Sequence, residues 1–470
     1  MATSLPPRKG ELDSIDPDEI RTVHLPLQKL DKCAICSKKE GLRLCSACGE
    51  KVYCSPECQK GDWKQHKPEC GKTDRICIQS FYPLLALLME ASRLHPERPR
   101  HPAQMHKIVN SPNPSNSCVC KFPDGTSANL ILLGDPCSEE LFMLNPAQWW
   151  PTAETPRIRN KLAQRFVAEN YLLPAVVAVS FALLAEIYTT TADANGNRRI
   201  RLQYKSSPIA DFGIARGSVD VKSQDRFAYY NVADESFMFG QDPNDHYWIY
   251  FTTIRGEEIL LECGMFVFNM CLMVTNLGPY LKHGLPPITT VPAHLVAREH
   301  RQVSVRLHYE KERFSVLRDP ELQEAVRYSR RFIPSAHTAK ICRFMEKVAG
   351  RPHTSIEKKL VMLWAIDDCE VMSMNLVSRE YLNFPATPVI GVFEDPGEMD
   401  DPPQENEAWH KYVMGWSKKY KRGQITTEQL HAAFRAWSDA SHEVRMQMSA
   451  RGATKSNKKN KQGGGSRGKI

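Results

Sequence analysis

The chain has 470 residues, 42% of them hydrophobic, which is enough to bury a core in roughly two to four domains and excludes a chain disordered throughout. Its formal net charge of +8 is not spread over the molecule. Arg451, Lys455, Lys458, Lys459, Lys461, Arg467 and Lys469 stand in the last stretch without an Asp or Glu, so the rest is close to neutral and a basic nucleic-acid-binding body is excluded.

Residues 1–30 mix charges with Pro6, Pro7 and Pro26 and show no sustained period, which predicts a flexible leader. The first residues, Met1 to Arg8, lack the apolar core of a secretory signal. Together with cysteines grouped as metal ligands, this predicts a reducing compartment, cytoplasmic or nuclear.

Seven cysteines and one histidine follow in pairs: Cys33 and Cys36, Cys45 and Cys48, Cys54 and Cys58, His66 and Cys70. Thiolate and imidazole suit Zn²⁺, and four of them close a tetrahedral shell, so eight ligands fit two structural zinc ions with no open coordination position. A CxxC pair places two thiolates on one tight turn, and CxxxC and HxxxC place two ligands one helical turn apart. Sequential and interleaved pairing both give one four-cysteine site and one site of three cysteines and a histidine, so spacing alone leaves the pairing open. Ser55 is a good N-cap, Pro56 suits the first helical position and Glu57 complements the helix dipole. On the helix they open, Cys58, Asp62 and His66 fall on the metal-facing side, with Gln59 and Trp63 on the neighbouring side.

Beyond the zinc segment, the apolar run Phe81 to Met89 predicts a helix over 76–94. Cys118 to Phe122 and Ala128 to Leu133 flank Pro123-Asp124-Gly125-Thr126 and predict a hairpin. Cys118 and Cys120 lack a second ligand pair nearby and read as buried thiols. Residues 155–190 read as one helix, apolar all round after Tyr171. The charge-free part, Asn170 to Ala185, is shorter than a bilayer span and contains Pro174, so it is expected to be a buried core helix.

From Arg198 to about Met273 the texture is that of strands: Arg199 to Tyr204, Arg226 to Val232, and the pair His246 to Thr253 with Ile259 to Asn269. After a connector around Pro279 to Pro292, helices are expected to the end. One has the face Ile341, Phe344, Met345 and Val348, and another the face Trp409, Tyr412, Val413, Trp416 and Tyr420. Thr426 and Gln429 form a capping box for a last helix carrying Leu430, Phe434, Trp437, Val444 and Met448. The carboxylate pairs Asp367-Asp368 and Glu394-Asp395 read as a solvated helix face and a loop. The fold class is therefore α+β: a small two-zinc finger plus a larger, mostly helical body containing an antiparallel β-sheet. Its organisation reads 1–30 leader, 31–71 zinc finger, 75–393 α+β body, 394–407 acidic Pro-containing linker, 408–450 C-terminal helices and 451–470 disordered basic tail.

The ligand order, and in particular Tyr53-Cys54-Ser55, Cys58-Gln59-Lys60, Asp62-Trp63, His66-Lys67 and Cys70, closely resembles the MYND zinc finger. The resemblance covers under a tenth of the chain and fills every ligand position. It implies a cross-brace, with Cys33, Cys36, Cys54 and Cys58 on one zinc and Cys45, Cys48, His66 and Cys70 on the other. It also implies a protein-interaction module or adaptor that takes short proline-containing peptides at Gln59 and Trp63, with transcriptional regulation as a setting. Similar fingers occur in SET-and-MYND lysine methyltransferases, and Arg255-Gly256-Glu257-Glu258 is similar to a Gly-Glu-Glu stretch of their catalytic domain. Against this alternative, the cofactor-type Asn-His-Ser segment is missing and Ile259-Leu260-Leu261-Glu262 lacks the expected tyrosine. The tetrapeptide is expected to be a hairpin loop. No catalytic residue and no cofactor other than two zinc ions is expected. The tail allows weak nucleic-acid contact but has no aromatic residue to stack on bases, and no membrane partner is expected.

Overall fold

In a computed structural model of the chain, the described residues are 20–111, 118–122, 125–153, 155–190, 198–221, 225–297, 307–327, 333, 335–393, 403–438, 440–441 and 443–449. The fold is α+β, built around the charge-free run. Leu172–Ile187 is a helix buried on every side. It packs on the long helix Ser355–Val377, on Ile78–Arg93 and on strands Ser207–Val219 and His246–Thr253. Burial rather than length is its purpose: no single described helix is long and apolar enough to cross a membrane.

The expected single helix over 155–190 is two. Thr155 caps Pro156–Ala168 through the Ile158 N–H, and the second helix starts at Leu172, the axes bending by 69°. Asn170 and Tyr171 take left-handed φ of 68° and 57° at the corner. Two features fix the break. Pro174 lies in the first turn of the new helix, where its missing N–H is tolerated. The carboxylate of Glu169, 1% exposed, accepts from the Tyr229 hydroxyl and the Gln241 N–H and lies 3.2 Å from His101 Nε2. The polar first helix then covers a second core around Trp149, Trp150, Phe166 and Tyr229.

The main sheet has seven strands, in the order His294–Ala297, Glu258–Glu262, His246–Thr253, Ser207–Val219, Arg199–Tyr204, Thr73–Cys77, with His308–Ser315 also on Ser207–Val219. Every pair is antiparallel except Thr73–Cys77, which runs parallel to Arg199–Tyr204. The 118–133 hairpin forms as expected, Cys118 opposite Leu130, but Cys118 is exposed and Cys120 half-exposed, not buried. The arm expected over 259–269 ends at Glu262, and Met265–Phe268 is a 3-10 turn. Arg255-Gly256-Glu257-Glu258 is the hairpin loop, with Gly256 at φ 81° and the Thr253 N–H donating to the Glu257 carbonyl.

The C-terminal half is not helical throughout: His294–Ala297, His308–Ser315 and Val389–Val392 are strands. His308–Ser315 is too charged to read as one, and it is held by its pairing with Ser207–Val219. Ile341, Phe344, Met345 and Val348 are all buried in the main core. Asp368 is 2% exposed, not solvated, while Asp367 faces solvent within 3.5 Å of His95.

The Thr426 and Gln429 box forms, and the helices Pro403–Lys421 and Thr427–Ser438 clasp through Trp409, Tyr412 and Trp437. The first of these begins inside the stretch read as a linker. Residues 394–402, with Glu394 and Asp395, lie outside the described residues, as do 1–19 and the tail.

The end of the leader is attached to the body. The Arg21 N–H donates to the Arg327 carbonyl and the His24 N–H to the Tyr188 carbonyl. The Arg21 guanidinium meets Glu186 at 3.0 Å.

Candidate metal centre

The finger is laid out by a two-stranded ribbon, Arg43–Leu44 with Val52–Tyr53, followed by the helix Pro56–Cys70. Ser55 caps that helix by accepting from the Cys58 N–H at 3.4 Å, with Pro56 in its first turn. From the helix, Cys58 faces the first ligand group, and His66 and Cys70 face the second. Asp62, between them on the same face, is buried and accepts from the Tyr53 hydroxyl at 2.7 Å, which ties helix to ribbon.

Two clusters result, Cys33, Cys36, Cys54, Cys58 and Cys45, Cys48, His66, Cys70, the ligand atoms of each lying within 4.8 Å of one another. The ligands therefore interleave. In the first group the Sγ separations are 3.3 Å for Cys36 and Cys54, 3.7 Å for Cys54 and Cys58, and 3.7 Å for Cys58 and Cys36. In the second they are 3.5 Å for Cys45 and Cys70, with 3.4 Å from Cys48 Sγ to His66 Nε2. A tetrahedron with Zn–S of about 2.3 Å has edges of about 3.8 Å. Those contacts are close to that edge and far from disulfide length. The two donor sets fit two structural zinc ions.

The thiols themselves call for a dication. Backbone N–H groups of Cys36 and Ile35 turned toward the Cys33 sulfur bring its thiol down to about 6. Around Cys45, burial pushes upward, but the Cys48 N–H and the His66 imidazole outweigh it and leave it at about 7. These two ionise readily. Their neighbours then cannot: contact with Cys36 and burial push Cys54 up to about 12, and burial and contact with Cys45 push Cys70 up to about 12. A bound cation removes that conflict by deprotonating all the thiols.

The two clusters differ in surroundings. Cys36 is exposed and Cys54 and Cys58 are half-exposed, whereas all four ligands of the second are buried. What covers the second is the body. The Arg75 guanidinium donates to the Cys48 carbonyl. Gly49, at φ 63°, lies so close to Arg75 and Pro208 that an added Cβ would stand 2.6 and 2.9 Å from them. Glu50 pairs with Arg199 and, at 3.2 Å, with Arg201, while Glu69 lies 3.6 Å from Arg199. Three residues past the ligand Cys70, Thr73–Cys77 enters the main sheet. A cavity of about 370 Å³ lies alongside, lined by His24, Lys51, His66 and Arg201 among others. Sequence reading missed Glu50, Arg75, Arg199 and Arg201 because the docking partners are far apart in the chain.

Of the two peptide-surface residues, Trp63 is 44% exposed, its ring edge-on to His66 at 6.2 Å. Gln59 is half-buried, and its Nε2 donates to Cys45 Sγ at 3.8 Å, so it supports the inner metal cluster.

Comparison with known proteins isolates the same segment. The MYND finger family model matches residues 33–70. Those residues are a MYND-type zinc finger. N-lysine methyltransferase SMYD2 of Sus scrofa is 38% identical over 72 residues, 14% of this chain and 16% of its own length. The Gallus gallus protein of the same name is 39% identical over 69 residues, 13% and 15%. N-lysine methyltransferase SMYD2-A of Danio rerio is 50% identical over 41 residues, 8% and 9%. The chain thus spans about a sixth of the length of the first curated relatives it matches. No solved structure matches it. MYND fingers are protein-interaction modules, and the finger's two closed shells leave no position at which zinc can activate water.

Proposed function

We propose that the chain is a zinc-dependent adaptor whose MYND finger holds a short proline-containing peptide of a protein partner against Trp63. The observation that carries this reading is the exposed indole on a helix that two metal clusters and the Tyr53 to Asp62 bond hold rigid. A fixed aromatic face suits the flat rings of an extended proline-containing segment, whose ordering entropy is small. Gln59, secured by Cys45, fixes the edge of that face. Isothermal titration calorimetry of the full-length protein with a panel of short proline-containing peptides tests it. Saturable binding lost in Trp63→Ala, with zinc content unchanged, is the expected result. Affinity that survives the substitution defeats the proposal.

Lysine methyl transfer is the second reading, favoured only by the names of the relatives matched over the finger. Calorimetric titration with S-adenosylmethionine separates the two, since a transferase binds it with a saturable stoichiometry. Fifteen cysteines without a disulfide among them suit the cytoplasm or nucleus, and the basic tail adds weak electrostatic contact with nucleic acid.

A further inference from the structure

We propose that the body carries a third metal site, formed by His246, Glu262 and His308, which binds one divalent transition-metal ion, zinc by its donor set, and staples one end of the main sheet. The three residues are sixteen and forty-six positions apart and come from three strands. His246 is the first residue of His246–Thr253, Glu262 the last of Glu258–Glu262, and His308 the first of His308–Ser315. The pairings of His246 with Gly217 and His308 with Val219 put the two imidazoles on one face of the sheet, since these partners are two residues apart on one strand.

The ligand atoms converge. His246 Nε2 is 3.0 Å and His308 Nε2 2.5 Å from the same carboxylate oxygen, Glu262 Oε2, and all three atoms lie within 4.8 Å of one another. The other oxygen, Oε1, is fixed by the N–H groups of Gly264 at 2.5 Å and Met265 at 3.0 Å. The carboxylate is thus held by backbone on one side and aimed at two imidazoles on the other. Side-chain exposures of 0%, 2% and 8% for His246, Glu262 and His308 leave little water to solvate it. The rings of Trp248, 4.9 Å from His308, and Phe268, 6.1 Å from His246, enclose the group.

Two imidazole nitrogens and one carboxylate oxygen, on strand ends already fixed by pairing, form a three-ligand divalent-metal set. Zn–N and Zn–O bonds of about 2.1 Å require ligand separations of about 3.4 Å, against the 3.0 and 2.5 Å of the two contacts with Glu262, so binding of an ion requires both rings to turn away from the carboxylate. Without one, both Nε2–H groups must point at a single oxygen, their positive ends facing each other, while His246 Nδ1 has no hydrogen-bond partner among the described residues. With all three donors nearly buried on paired strand ends, the ion's role is structural.

Multi-element mass spectrometry of the full-length protein, purified without chelator and dialysed, decides the matter. About three transition-metal ions per chain are expected, two from the finger and one here. His308→Gln, the change at the rim of the site, and the near-isosteric Glu262→Gln should each lose about one ion while Cys36→Ser retains this one. Two ions per folded wild-type chain overturn the proposal without recourse to any variant. So does a third ion that persists in folded His308→Gln, which is then bound elsewhere.

Discussion

The two zinc clusters of the finger, one of four cysteines and one of three cysteines and a histidine, share a single helix, yet they belong to different parts of the molecule. The outer one, Cys33, Cys36, Cys54 and Cys58, is held by the finger alone and reaches solvent through Cys36. The inner one, Cys45, Cys48, His66 and Cys70, is buried under Arg75, Arg199 and Arg201 of the body, and its last ligand leads directly into the main sheet. A zinc shell organises whatever its ligands are attached to. Here the outer ion organises a loop and a helix end, and the inner ion also organises an interface.

The sharpest way to break this comparison is to remove one ligand from each cluster. His66→Ala should release the inner zinc, unseat Glu50 from its arginines and lower the melting temperature of the body, because binding of a structural zinc contributes on the order of 10 kcal/mol of folding free energy. Cys36→Ser should release the outer zinc while the body's melting temperature shifts far less. Zinc content and thermal unfolding followed by circular dichroism check both together; equal shifts in the two variants would show that the clusters are energetically one unit. In a chelator competition on the unaltered protein, the outer ion should leave first.

A smaller effect isolates the interface. Glu50→Gln removes the charge facing Arg199 and Arg201 while leaving all eight ligands in place. Breaking one side of a largely buried pair destabilises by about 3–5 kcal/mol, and the partial exposure of Glu50, 16%, places the expected value at the low end of that range. Urea unfolding with parallel zinc measurement should find lower stability and unchanged metal. Loss of the inner zinc instead would mean that the dock, and not the ligand shell, holds the ion.

The smallest change lies far from both clusters and tests whether body stability moves without the finger. Asp368 is buried in the helix Ser355–Val377, its Oδ2 has no hydrogen-bond partner among the described residues, and burial raises its carboxyl well above the ordinary range. With the folded value above the unfolded one, the native state binds the proton more tightly, so stability falls as pH rises from the unfolded value, about 4, toward the folded one. Asp368→Asn removes that dependence. It should stabilise the protein at pH 7 by about 1 kcal/mol, with the gain fading below about pH 4 and zinc content constant. A melting temperature lowered by the same amount at every pH would contradict the assignment.

How much of this was legible beforehand depended on how local the cause was. Ser55 at the helix start, the capping box of Thr426 and Gln429, the 118–133 hairpin and the buried run of Leu172–Ile187 are each fixed within a few residues, and each was readable. The break at Asn170 and Tyr171 was not, because the apolar period continues across it and Glu169 is fixed by Tyr229 and Gln241 from elsewhere in the chain. Ser207–Val219 was missed as the strand that pairs on both sides, since Pro208, Gly213 and Gly217 dilute its β signal. The highly charged His308–Ser315 is a strand only because Ser207–Val219 accepts its backbone.

The sequence by itself determined the finger's eight ligands and the ions they fit, because thiolate and imidazole spacing encodes the metal shell over a short stretch of chain. It also determined the α+β class, through the periods of its apolar residues. Only the tertiary structure decided which cluster is buried, that the finger is docked through Glu50, Arg75, Arg199 and Arg201, and that His246, Glu262 and His308 meet. Those arrangements depend on strands distant in sequence being brought into register, and burial and charge pairing exist only once that register is set.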